Sequence, residues 1–160
     1  MNNQRAVNPI PPVVLLFSGL VLGLEAIFFF AESGSLGNEA RGWRVQALVT
    51  SHFSAQIWDL TVGQGQWTFD LAKRYVTYAF VHYSFMNALF AGAMLLALGK
   101  FVGELYHWAS VVVLVLGSIL AGSIAFGLLA PDQGSLLGMF PGVYGLVGAF
   151  TYVQLSLIHI

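Results

Sequence analysis

Long apolar segments separated by short polar connections dominate the pattern of this chain. Four of them, at about residues 12–31, 75–99, 108–130 and 142–160, come close to the roughly 20 apolar residues that a helix needs to cross a bilayer. Glu25 is the only Asp, Glu, Lys or Arg residue within them. Because open strands cannot pair their backbone groups in lipid, the pattern predicts four transmembrane helices and an all-α membrane protein.

The connection between the first two segments, residues 32–74, has a different pattern. Apolar side chains recur there at steps of three and four residues with polar side chains between them, which predicts an amphipathic helix. The apolar positions are Trp43, Val45, Leu48, Val49, Phe53, Ile57 and Leu60. We expect this helix to lie in the membrane interface, with Trp43 and Trp58 as anchors. The alternative is a helix that covers the bundle without touching lipid.

Composition agrees with a membrane protein and excludes several functions. Only 8% of the 160 residues are charged and the mean hydropathy is +0.78, whereas soluble domains carry about 25% charged residues. A net charge of −1 without a basic cluster gives no support for nucleic-acid binding. The chain has no cysteine, and its four histidines lack the spacing of a metal site, so we expect no metal and no cofactor. With no internal repeat, residues 1–160 are expected to form a single membrane domain.

The first predicted span contains Glu25 and the second contains His82. Ionisable residues within spans are costly and tend to face a partner or a cavity. For Glu25 two positions remain open, one beside such a partner and one near the lipid head groups. His82 either belongs to a polar cavity or forms a hydrogen bond to the first loop or to a neighbouring helix.

Small residues recur on one side of the last two spans. The third span has Gly117, Ala121 and Ala125 four residues apart, and the fourth has Gly142, Gly145 and Gly148 three apart. Such stripes let helix backbones approach closely, which favours association in lipid. They predict close packing, either within the bundle or against another helix.

Two stretches carry a resemblance to a known family. Residues 74–87 read RYVTYAFVHYSFMN and residues 138–148 read GMFPGVYGLVG. The first resembles the Arg-x-x-Thr-x-x-Phe-x-His run of rhomboid intramembrane serine proteases, and the second resembles the start of their fourth transmembrane helix. The N-terminal part, residues 8–12 followed by a span that contains Glu25, is similar to that of alphaproteobacterial rhomboid-type proteins. The interfacial helix predicted in the first loop is also similar to a feature of rhomboids. The resemblance implies a rhomboid-like helical bundle with four of the six transmembrane helices of the family core.

The same resemblance implies that the catalytic groups are missing. The serine nucleophile of the family corresponds to Phe140, and its oxyanion-binding histidine and asparagine correspond to Asn87 and Ala91. The histidine base belongs to a sixth helix, beyond the four predicted spans. Ser135 is a weak substitute, because no histidine lies near it in the sequence and a hydroxyl without a base is a poor nucleophile.

We therefore expect a catalytically inactive rhomboid-like protein of the bacterial inner membrane that contacts the lipid bilayer and binds transmembrane helices of other proteins. The candidate binding residues are His82, Asn87, Phe140, Gly142, Gly145 and Gly148. One alternative is an intramembrane serine endopeptidase with a non-standard site, and another is a structural subunit of a membrane complex. The last residues remain apolar without a polar tail, so we expect a C-terminally truncated chain.

The charge distribution and the family resemblance predict opposite orientations of the chain in the membrane. The first loop holds Arg41, Arg44, Lys73 and Arg74, so a count of positive residues puts it in the cytoplasm. The rhomboid resemblance implies the reverse, with the first loop outside the cytoplasm and both termini inside.

Overall fold

A computed structural model describes residues 9–130 and 134–158 of the chain. Asn8 of the N-terminal motif and residues 159–160 of the predicted fourth span lie outside the described residues. The elements in chain order are α1 (Pro12–Glu32), α2 (Trp43–Ser51), β1 (Phe53–Ser54), α3 (Ala55–Trp58), α4 (Phe69–Thr77), α5 (Phe85–Leu105), α6 (Trp108–Leu129), β2 (Ser135–Leu136) and α7 (Phe140–Ile158). Short 3-10 helices cover Asn38–Gly42 and Tyr78–Phe80, and a π-helical turn covers Asp59–Gly63.

Among the described residues, α1, α5 and α6 are long and apolar enough to cross a membrane. The predicted first and third spans, 12–31 and 108–130, match α1 and α6 to within one residue. The predicted fourth span corresponds to α7, a helix of 19 residues that packs against α5 and α6. The helical membrane architecture is thereby confirmed, while membrane crossing by α7 stays a prediction.

The second span begins ten residues later than the predicted 75–99, because α5 starts at Phe85. The side-chain oxygen of Ser84 accepts a hydrogen bond of 3.4 Å from the backbone N–H of Asn87, which starts the helix there. The apolar residues before it are buried by protein instead, and Tyr78 is 0% exposed. Hydropathy cannot separate a residue buried by protein from one that faces lipid, which explains the wrong boundary.

The first loop does not contain one continuous amphipathic helix over residues 43–60. The helix stops after Ser51, and Phe53–Ser54 pairs in an antiparallel bridge with Ser135–Leu136 from the turn before α7. The next helix, α3, is then capped by Ser54, whose hydroxyl accepts a hydrogen bond from Ile57. A partner strand about 80 residues away leaves no trace in local periodicity, so the sequence pattern could not show this break.

The helix α2 has its charge inside and its apolar side chains outside. Arg44 is 7% exposed, whereas Trp43, Val45 and Val49 are 45%, 62% and 59% exposed. A helix on the surface of a soluble protein shows the opposite arrangement. The arrangement therefore favours the membrane-interface interpretation of this helix, which stays a prediction.

The long helices form one bundle in which α1 lies against α5, and α7 lies against both α5 and α6. Its core takes Val21 from α1, Leu95 from α5, Ile119 from α6 and Leu146 from α7, each at most 2% exposed. The Tyr78 hydroxyl donates a buried hydrogen bond of 2.6 Å to the carbonyl oxygen of Ile119. The end of the first loop is thus attached to the middle of α6.

The stripe of small residues on the third span does not pack inside this bundle. Gly117, Ala121 and Ala125 are all exposed, and a Cβ at Gly117 would meet no atom within 4 Å. The stripe faces away from the described helices. Spacing alone shows that three residues share a face, but not which face of the helix meets protein.

Candidate functional site

The turn before α7 is held against the end of the first loop. Gly138 has a φ of +93°, which favours glycine, and its N–H donates a hydrogen bond of 2.8 Å to the carbonyl oxygen of Tyr78. A Cβ at Gly138 would also lie 3.1 Å from Cδ2 of His82. Both the backbone conformation and the close approach of the imidazole therefore require glycine here.

His82 forms the polar centre of this contact. It is 2% exposed, and its Nε2 accepts a hydrogen bond of 3.1 Å from the backbone N–H of Met139. Burial is the main cause that lowers the pKa of His82 to about 4; the positive charge of Arg44 acts in the same direction and a hydrogen bond to the backbone of Phe80 opposes it, so the ring is neutral near pH 7. Because Nε2 accepts, the proton of the neutral ring is on Nδ1. His82 thus positions the residue before Phe140 rather than lining an open polar cavity.

A buried ion pair lies behind His82. Arg44 of α2 donates from Nη2 to Oε1 of Glu25 at 2.5 Å and from Nη1 to Oε2 at 3.1 Å. Its Nη1 also lies 3.4 Å from the carbonyl oxygen of His82. Glu25 is 3% exposed, so the partner of this intramembrane carboxylate is the arginine of the first loop. Bidentate pairing is the strongest form of this contact.

Two further groups complete the surroundings of Arg44. Its Nε donates to Oε1 of Glu32 at 2.6 Å, and its guanidinium lies 5.5 Å from the ring centre of Phe28. The hydrogen bond to Glu25 raises the pKa of Arg44 above its ordinary value, so the guanidinium remains charged. Arg44, Glu25 and Glu32, which we call the Arg44 clamp, attach α2 to α1. Sequence reasoning named Glu25 but not its partner, because Arg44 entered it only as one of the positive residues of the first loop.

The positions that the resemblance predicts for the family's catalytic groups do not converge on a polar pocket. Phe140 starts α7, and its ring centre lies 6.4 Å from that of Phe90 on α5. Asn87 is exposed on the first turn of α5, whereas Ala91 is 0% exposed in the core. Ser135 lies in β2 opposite Ser54, and among the described residues no histidine contacts its hydroxyl by a hydrogen bond.

The three glycines of α7 divide into two internal positions and one external position. A Cβ at Gly142 would lie 3.0 Å from the sulfur of Met139, and one at Gly145 would overlap the side chain of Ser118 on α6. A Cβ at Gly148 would meet no atom within 4 Å. The first two glycines therefore permit packing inside the bundle, and only Gly148 is open to another molecule.

Gly148 belongs to an exposed surface that sequence reasoning only partly found. Phe90 is 59% exposed, Tyr144 is 68% exposed and Val147 is 37% exposed. Phe140, Tyr144 and Gly148 follow one another at four-residue steps along α7, and Phe90 joins them from α5. We call the surface of Phe90, Phe140, Tyr144, Val147 and Gly148 the α5–α7 face. In sequence, its aromatic residues are indistinguishable from side chains that merely face lipid.

Comparison with known proteins gives one match. The family model described as Rhomboid domain matches residues 70–159, from the start of α4 to the end of α7 and beyond, which is more than half of the chain. Neither the comparison with curated proteins nor that with solved structures gives a match.

Proposed function

This chain belongs to the rhomboid family of integral membrane proteins, and from that membership we propose that it is a catalytically inactive member that binds transmembrane helices of other proteins in the bacterial inner membrane. The observation that carries inactivity is Phe140 at the start of α7. A phenyl ring has no lone pair to attack a carbonyl carbon and no proton for a base to remove.

The surroundings of Phe140 support the same conclusion. Ala91 has no hydrogen-bond donor on its side chain, and Asn87 is exposed on the first turn of α5. The lone pair on Nε2 of His82 already accepts from Met139, so this imidazole is not free to take a proton from a hydroxyl. Loss of a single oxyanion donor typically costs about 10²–10³ in kcat. A chain that lacks the nucleophile as well is expected to have no proteolytic activity.

Helix binding is supported by the α5–α7 face. Lipid tails are as apolar as Leu, so helices associate in a membrane through close packing rather than through the hydrophobic effect. Gly148 lets a second backbone approach α7, and the neighbouring rings of Phe140 and Tyr144 offer contact area with few rotatable bonds. A transmembrane helix laid along α7 would contact both features at once.

The test is photocrosslinking in native membranes from position 140 or 144, with position 16 as control because Leu16 is 58% exposed on α1. We expect protein adducts from positions 140 and 144 and only lipid adducts from position 16. Gly148→Leu should remove the protein adducts. Gly19→Leu is the matched control, because a Cβ at Gly19 on α1 also meets no atom within 4 Å. Adducts that are only intramolecular or lipidic from all three positions would contradict helix binding.

A second candidate function, a structural subunit of a membrane complex, is favoured by the exposed stripe of Gly117, Ala121 and Ala125 on α6. A constant partner would approach that stripe rather than the α5–α7 face. Gly117→Leu should then release the complex in native gels, while Gly148→Leu leaves it intact. The reverse result favours binding at the α5–α7 face.

A further inference from the structure

A groove separates the first loop from α6, away from the α5–α7 face. Its volume is about 430 Å³, and its walls are formed by Trp58, Val62, Trp67, Ala72, Tyr75, Leu120 and Ile124. We call it the first-loop groove. On the loop side three aromatic rings line it, and on the α6 side the lining residues are aliphatic.

The α6 wall of the groove belongs to the surface that faces the bilayer. The most apolar stretch of α6 is only 22% buried, less than the corresponding stretches of α1 and α5. Leu120, Ile124 and Leu128 on this helix are 41%, 45% and 66% exposed. The groove is therefore continuous with surface that contacts lipid tails.

The loop wall of the groove is attached firmly to the bundle. A Cβ at Gly127 on α6 would overlap the ring of Trp58, so the indole lies directly on the helix backbone. Trp67 stacks on Tyr75 with ring centres 5.7 Å apart and an angle of 26° between the planes. The Tyr75 hydroxyl is hydrogen-bonded to Thr61 Oγ1 at 2.5 Å. These contacts shape the groove without an occupant.

Size and polarity limit what the groove can hold. One turn of α-helix, roughly 5.4 Å long and 10 Å across, already fills a volume of this order. A transmembrane helix of about 20 residues would therefore lie mostly outside the groove, whereas a narrow flexible chain fits within it. Its lining has no charged side chain, and the hydroxyl of Tyr75 is already engaged, so a polar solute would lose its hydration without compensation.

Two donors remain at the groove for the polar part of a lipid. The indole N–H groups of Trp58 and Trp67 donate no hydrogen bond within the described part of the chain. Indoles sit preferentially at the level of lipid head groups, where the ring meets apolar chains and the N–H meets oxygen atoms. Ester and phosphate oxygens are acceptors that match these donors.

We propose that the first-loop groove binds a single phospholipid of the surrounding bilayer. One acyl chain lies against Leu120 and Ile124, and ester or phosphate oxygens accept from the indoles. The bound lipid then fills the space between the first loop and α6. This site is separate from the α5–α7 face, so the proposal stands whether or not that face binds helices.

The test uses the four tryptophans of the chain. In a Trp43→Phe/Trp108→Phe variant only the two groove indoles fluoresce. The purified variant in detergent is titrated with a phospholipid whose acyl chains carry bromine, a contact quencher. We expect quenching that saturates near one lipid per protein.

Two controls separate a site from general lipid contact. A variant that keeps only Trp43, which is 45% exposed on α2, should show quenching that rises with lipid fraction without early saturation. Ile124→Phe, which narrows the groove, should lower the apparent affinity for the brominated lipid by about tenfold. Leu128→Phe, one turn further along α6 and outside the groove lining, should leave this affinity unchanged.

Three outcomes would overturn the proposal. If the fluorescence of the groove indoles depends on lipid fraction in the same way as that of Trp43, only boundary lipid surrounds them. Equal effects of Ile124→Phe and Leu128→Phe would place the quencher outside the groove. Groove indoles that are not quenched at any lipid ratio would show that protein or detergent occupies the space.

Discussion

Arg44 and Glu25 join the first loop to the first transmembrane helix through two hydrogen bonds of 2.5 and 3.1 Å between guanidinium and carboxylate. Both side chains are more than 90% buried. The same arginine reaches the carbonyl oxygen of His82, whose ring accepts from the residue before Phe140. The clamp and the start of α7 therefore belong to one chain of polar contacts.

The first prediction concerns this clamp. Arg44→Met leaves the carboxylate of Glu25 buried without its partner, and breaking a buried pair in this way costs roughly 3–5 kcal/mol. We expect a large fall in the thermal unfolding temperature in detergent. Glu25→Leu combined with Arg44→Met should recover most of the loss, because no buried charge remains. Arg41→Met, at an exposed position of the same loop, is the control, and an equal effect of the two single variants would refute the clamp.

The second prediction is a loss of stability in mild acid through His82. Its pKa is near 6.5 in the unfolded chain and about 4 in the folded protein. Between these values the unfolded state binds more protons, so stability is complete above pH 6.5 and falls as the pH drops towards 4. Because one unit of pKa difference corresponds to 1.36 kcal/mol, the free energy of unfolding falls by about 3 kcal/mol over that window.

The measurement is the unfolding temperature at pH 7 and at pH 4.5. His82→Asn keeps a side-chain acceptor near Met139 without a titrating ring. Its stability should change less over the same range, after subtraction of the effects of the carboxylates that both proteins share. Identical pH profiles of the two proteins would mean that His82 does not titrate on unfolding.

The third prediction distinguishes two glycines one turn apart on α7. A Cβ at Gly145 overlaps Ser118, so Gly145→Ala should destabilise the bundle, whereas Gly148 is open. Gly148→Ala should stabilise the helix by about 0.5–1 kcal/mol, the usual advantage of alanine within a helix. Chemical unfolding in mixed micelles gives both values. If Gly145→Ala stabilised the protein and Gly148→Ala destabilised it, α7 would pack through a different face.

The fourth prediction is that no serine of this chain acts as a nucleophile. A fluorophosphonate probe should label the wild type no more than it labels Ser135→Ala. Phe140→Ser should also remain unlabelled, because a hydroxyl alone lacks both the base and the oxyanion donors. Specific labelling of the wild type that disappears in Ser135→Ala would instead favour the alternative of a protease with a non-standard site.

The fifth prediction is topological. Since the chain has no cysteine, Gln66→Cys in the first loop and Glu104→Cys at the opposite end of α5 each introduce a unique, exposed thiol. The rhomboid orientation predicts that an impermeant maleimide labels position 66 on intact cells and position 104 only after lysis. The reverse pattern would support the orientation that the count of positive residues indicates.

The sequence by itself determined the class of the protein, a helical membrane protein of the rhomboid family. Apolar runs near Val21 and Ile119 can be buried only in a bundle or in lipid, so hydropathy is sufficient to locate α1 and α6. The assignment of Phe140 to the position of the family's serine rests on the surrounding sequence motif alone and stays a prediction. The beginning of α5 at Phe85 was missed, because a buried loop and a membrane span have the same apolar composition.

Only the tertiary structure decided which polar groups meet and which faces stay open. The pairing of Arg44 with Glu25, and of His82 with Met139, joins residues that lie 19 and 57 positions apart. Local spacing carries no information about such distant contacts. The roles of Gly145 and Gly148 likewise depend on what α6 brings near them, since a stripe of small residues is symmetric until a neighbour covers one part of it.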